Sequence, residues 1–169
     1  MKTNEIYMKT AIDVAILSKN SGGVAIGAVL VDNKTGEIVA KGESVVSLTK
    51  DPTAHAEINC IRTASRMLAT DDLYSLTLYS TLEPCHMCLS ASAWARISTV
   101  YFGAYKKDVN NSLFDIKGDF SDEHEGRRMN LRENLSMHVT GGILEKECAD
   151  LLLNYYDPHH HDKESVLLR

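Results

Sequence analysis

Apolar residues recur at three-to-four spacing through residues 4–19, placing Ile6, Ala11, Ile12, Ala15 and Ile16 along one side of a helix. Ser21-Gly22-Gly23 ends that helix. Ala25 to Val31 is a nearly continuous apolar run and reads as a buried strand. Asp32-Asn33-Lys34-Thr35-Gly36 turns the chain, and Glu37 to Val46 returns as the second arm of a hairpin. Asp51-Pro52-Thr53 opens a helix to about Ala69, with Thr53 as its cap. Leu76 to Leu82 alternates as a strand, Pro84 takes the first helical position, and a helix follows to about Arg96. Thr99 to Gly103 is a short strand. Residues 105–134 are polar, mixed in charge and weakly periodic, as in a long loop with short helical pieces. Leu135 to Thr140 is a last strand, Gly141-Gly142 a break, and Ile143 to Tyr156 an amphipathic helix.

This order predicts an α/β fold in which one mixed sheet is covered on both faces. The 169 residues are expected to form one domain over 1–156 with a polar tail over 157–169. A composition of 44% hydrophobic and 24% charged residues is that of a soluble globular chain. No apolar run approaches the ~18 residues of a membrane span. Lys, Glu and Asp interrupt the N-terminal apolar residues, so no secretory layout is present and the cytoplasm is the default location. The net charge of −5 argues against a broad basic surface for nucleic acid.

Chemistry concentrates in His55-Ala56-Glu57 and Pro84-Cys85-His86-Met87-Cys88. One imidazole and two thiolates make a three-ligand zinc site with a fourth position open, the catalytic rather than the structural kind. On a helical wheel Glu57 falls in the apolar stripe with Ile58, Cys60, Ile61 and Ala64. A carboxylate aimed at a core is expensive unless paired, hydrogen-bonded or protonated. Alone, Glu57 reads equally well as a capping residue for first-turn amides; beside the ligand set, it reads as the proton carrier for water. Cys85-x-x-Cys88 could also be a redox pair or half of a closed zinc site. Cys60 and Cys148 are isolated and read as buried thiols, so no second pair exists, and a redox reading leaves His55 and Glu57 unused. His86 reads as a partly exposed spacer, Trp94 as packed against the sheet or a partner subunit, and His159-His160-His161 as part of a flexible tail.

These residues resemble the cytidine deaminase superfamily, in the branch that holds guanine deaminases, cytosine deaminase and tRNA adenosine deaminases. The H-x-E…P-C-x-x-C pattern is its known signature. The resemblance covers roughly residues 5–105. It implies a three-layer α/β/α sandwich around a five-stranded sheet, one catalytic zinc per subunit held by His55, Cys85 and Cys88, Glu57 as proton shuttle, and usually a homodimer. It further implies substrate contacts at Ser44, Ile26, Ala56 and Asp115. The branch usually carries Asn where this chain has Ser44, and Pro where it has Ala25.

The expected reaction is hydrolytic removal of an exocyclic amine from a nucleobase or nucleoside, with a guanine-like small molecule favoured. The alternative is adenosine-to-inosine deamination in a tRNA anticodon. Charge weighs against it, since residues 157–169 set Lys163 and Arg169 against Asp157, Asp162 and Glu164, without the basic tail that phosphate contacts would favour. A zinc-stabilised binding module is a third class, at odds with a carboxylate in the apolar stripe.

Overall fold

The computed structural model describes residues 3–109 and 137–155. Helix α1 (Thr3–Asn20) leads into the hairpin β1 (Val24–Asp32) and β2 (Ile38–Ser44). A short helical turn, α2 (Val46–Thr49), precedes α3 (Ala56–Leu68), β3 (Leu76–Leu82), α4 (His86–Trp94) and β4 (Thr99–Ala104). A 3-10 turn over Lys106–Asp108 follows, and the described chain ends with β5 (His138–Thr140) and α5 (Glu145–Tyr155). The hairpin turn forms because the Asp32 carboxylate accepts the Lys34 and Thr35 amides and Gly36 adopts a φ of 72°.

The strands lie in the order β2-β1-β3-β4-β5. β1 pairs antiparallel with β2 and β3, while β3–β4 and β4–β5 are parallel. All seven residues of β3, the central strand, are buried. Two cores result. α3 and α4 cover one face through Ala56, Cys60, Ala64 and Leu89, packed on Ala28, Leu30, Leu78 and Val100. α1 and α5 cover the other through Met8, Ala11, Val14, Cys148 and Leu152, packed on Val29, Val31 and Tyr79. This is the expected α/β/α sandwich on a five-stranded mixed sheet.

Gly42 sets how closely α3 lies on β2. A Cβ there would meet the Ala56 carbonyl oxygen and the Cys60 amide. Gly42→Ala is therefore expected to push the first turn of α3 away from the sheet. The cost should be about 1–3 kcal/mol, as for other overpacked sites, read as a lower melting temperature of the zinc-loaded protein.

Two local expectations need correction and a third is narrowed. Thr53 does not cap α3; its hydroxyl donates to the Asp51 carboxylate at 2.7 Å, and the helix starts three residues later, with His55 at the N-cap. Pro84 likewise lies outside α4, whose N-cap is Cys85. Of the two placements expected for Trp94, the sheet is not the one adopted: the ring is 88% exposed at the end of α4, open to a partner subunit. Cys60 and Cys148 are buried free thiols, as expected, and His86 is exposed. Asp115, His159-His160-His161 and the tail over 157–169 lie outside the described residues. Among the described residues, no helix is long and apolar enough to cross a membrane.

Candidate active site

Two helix N-termini bring the signature residues together. His55 precedes the first turn of α3, Cys85 precedes that of α4, and Cys88 is in the first turn of α4. The His55 side chain makes no capping bond to α3, whereas the Cys85 sulfur meets Cys88 in the first turn of α4. Both helix ends direct partial positive charge at the site, which favours thiolate over thiol.

His55 Nδ1 lies 3.7 Å from Cys85 Sγ and 3.6 Å from Cys88 Sγ, and the two sulfurs are 3.6 Å apart. A tetrahedral zinc with ordinary Zn–S and Zn–N lengths separates its ligands by about 3.8 Å for S···S and about 3.6 Å for S···N. The triangle therefore fits one zinc ion with Nδ1 facing it. Among the described residues, these three form the cluster of side chains suited to a metal. His86 is not in it.

The electrostatics are those of a half-buried cluster. The Cys85 thiol is held far below its ordinary range, by its hydrogen bond with Cys88 first and by His55 as well. Cys88 is pushed up, by the proton it shares with Cys85 and by burial. His55 is raised, mainly by its hydrogen bond with Cys85, with the Glu57 charge adding and burial and Lys106 opposing. Glu57 is 4% exposed, and burial followed by the neighbouring Cys85 charge raises its carboxyl. The wheel thus places Glu57 correctly: it sits in the first turn of α3, inside the protein and electrostatically coupled to the cysteines.

The turn before α3 is tied by Asp51. Its carboxylate accepts the Thr53 amide at 2.8 Å and the Thr53 hydroxyl, while Arg62 reaches back to Asp51 and Thr53. The segment before α4 is tied by Glu83, whose amide donates to Ala104 and whose carboxylate accepts the Lys106 amide.

Ser44 is buried at the end of β2, on the same side of the strand as Ala40 and Gly42, and so faces α3. It pairs with Val24, and the β1–β2 register shifts between Val24 and Gly27, so Ile26 lies in the irregular stretch beside it. Ala56 is fully buried at the start of α3. The sequence reading passes over Asn59, four residues after His55, whose side chain binds two backbone carbonyls beside the site. A polar residue one helical turn beyond a ligand was the available signal.

The sequence profile of the cytidine and deoxycytidylate deaminase zinc-binding region matches residues 1–104. The chain belongs to this deaminase family. It is a hydrolytic enzyme acting on carbon–nitrogen bonds, with a site for one zinc ion. The tRNA-specific adenosine deaminase of Bacillus subtilis is 40% identical over 160 residues, covering 92% of this chain and 90% of that protein. The guanine deaminase of the same organism is 41% identical over 113 residues, covering 66% and 71%. In three dimensions the chain resembles a guanine deaminase from Nitrosomonas europaea, with a TM-score of 0.77 over 89% of this chain and 83% of that one, at 24% identity; that likeness speaks to the fold alone.

These relatives bear on the substrate expectation. Charge balance points away from tRNA, yet the tRNA-specific relative matches this deaminase almost end to end, so tRNA is not disfavoured and the guanine-like reading does not lead.

Proposed function

We propose that this deaminase converts adenosine to inosine within a tRNA anticodon, releasing ammonia. The observation that carries the reading is the extent of the match: the tRNA-specific relative aligns over 92% of the chain, the guanine deaminase over 66%.

In this reading His55, Cys85 and Cys88 hold the zinc and leave a fourth position open. Zinc there supplies Lewis-acid chemistry that makes water a nucleophile at neutral pH. Glu57 takes a proton from water and delivers it to a ring nitrogen of the base, which makes the amine-bearing carbon electrophilic. The deprotonated water oxygen bonds to that carbon, and Glu57 carries its remaining proton to the amine, so that the C–N bond breaks, ammonia leaves and the oxygen stays as the carbonyl. Burial raises the carboxyl above its ordinary range, the direction that favours holding a proton between transfers. Ser44 offers a donor and an acceptor to the base edge, with Ile26 and Ala56 as walls. The hydroxyl is shorter than the usual Asn amide, so the base must approach β2 more closely or meet it through water.

A guanine-like free base is the second reading, favoured by 41% identity to a guanine deaminase over 113 residues. One experiment separates them. Zinc-loaded protein is incubated with an anticodon stem-loop RNA carrying adenosine and, separately, with guanine. Inosine in the RNA digest by mass spectrometry, with guanine unchanged, is the expected result. Ammonia from guanine without inosine from RNA would replace the first reading by the second.

A further inference from the structure

The connection between β2 and α3 leaves and returns through a narrow neck. Ser44-Val45 is one side and Ala54-His55 the other, with α2 and the Asp51 turn in between. The Val45 amide donates to the Ala54 carbonyl at 3.0 Å. Asn59 closes the neck a second time: its side-chain amide donates to the Glu43 carbonyl at 2.8 Å and to the Ala54 carbonyl at 3.1 Å. Its donor nitrogen therefore joins two backbone segments separated by the whole connection. One carbonyl belongs to the residue before Ser44, the other to the residue before His55.

We infer that Asn59 is a positioning residue that fixes the His55 imidazole relative to the substrate-facing end of β2. It touches neither metal nor substrate and acts through the two carbonyls. Asn59 is itself held, because its backbone amide donates to the His55 carbonyl at 2.9 Å within α3. Residue 59 thus reads three points around His55 from one rigid helical turn. Without the clamp, the Ala54 carbonyl keeps the Val45 amide but the Glu43 carbonyl loses this side-chain donor, and the end of β2 can drift from α3. Groups that orient a metal ligand from behind typically matter about 10–100-fold in metal affinity or activity.

The side-chain chemistry gives a test that a filler role would fail. Asp has the size of Asn but turns the two donor contacts into oxygen facing oxygen. If Asn59 only fills space, Asn59→Asp should be the milder change and Asn59→Ala the harsher. If it clamps carbonyls, Asn59→Asp should be at least as damaging as Asn59→Ala. The readout is cobalt(II) replacing zinc in the full chain, followed by the thiolate-to-metal charge-transfer and ligand-field bands and by the metal dissociation constant. This uses no nucleic acid or base, so its outcome rests on the metal-site reading and is independent of the proposed substrate.

The expected result is altered cobalt bands and an about 10–100-fold weaker metal constant for both variants, with Asn59→Asp no better than Asn59→Ala. Unchanged bands and affinity in folded variants, with only a lower melting temperature, would overturn the inference. So would an Asn59→Asp protein that matches the parent. If Asn59→Asp does not fold, Asn59→Ala, which has no donor, decides alone: cobalt bands and affinity like those of the parent would again overturn the assignment.

Discussion

Glu57→Ala protein is expected to hold one zinc ion per chain and to turn over about 10²–10⁴-fold more slowly than the parent, the usual contribution of a positioned general acid–base. The zinc triangle consists of His55 and the two cysteines, with separations that already match a tetrahedral ion, so removing the carboxylate leaves the ligand set complete. What is lost is the group that moves protons. Glu57→Gln sharpens the test, since it preserves volume inside the core while abolishing titration. A slow Glu57→Gln assigns the loss to the proton and not to a cavity. Metal analysis and initial rates on the same preparations decide the matter; normal turnover with bound zinc in either variant would remove Glu57 from the mechanism.

Stripping zinc with a chelator is expected to stop turnover and to lower the melting temperature by on the order of 10 °C, both restored by added zinc. The scale follows from linkage: an ion present at about 1,000 times its dissociation constant stabilises by about 4 kcal/mol, and each kcal/mol moves a chain of this size by about 2–4 °C. The local chemistry agrees. Cys88 is wholly buried, Glu57 nearly so, and Cys85 is held as thiolate, so the metal-free site crowds acidic groups into a low-dielectric space. Calorimetry with and without chelator measures this. A melting temperature indifferent to zinc would mean that the three side chains do not bind it in the folded protein.

The sheet was largely legible because its strands are apolar runs bounded by turn residues, and Leu76–Leu82 was readable to its ends. Glu57 was legible for the same reason: helical periodicity placed a charge where a core should be. Helix starts were not. Thr53 has the chemistry of a cap, but Asp51, two residues earlier, captures its hydroxyl, a competition that residue type alone does not reveal. At Pro84 the preference for a first helical position lost to a geometry that leaves Cys85 extended, with ψ at 168° and its sulfur toward His55. The substrate was not legible, because net charge is a sum over the whole surface, whereas gripping an RNA loop requires only a local arrangement of groups.

Trp94 gives the deaminase an optical property of its own. It is the chain's single tryptophan and stands in solvent at the end of α4. Indole emission follows the water around the ring, and here that water is already present in the folded state. Heating or denaturant should therefore leave the emission colour nearly constant while the core opens. Covering the helix end with an RNA loop or another protein would strip that water and move the emission to shorter wavelength. Fluorescence of the unlabelled protein is thus poorly placed to follow unfolding and well placed to titrate association at this helix end.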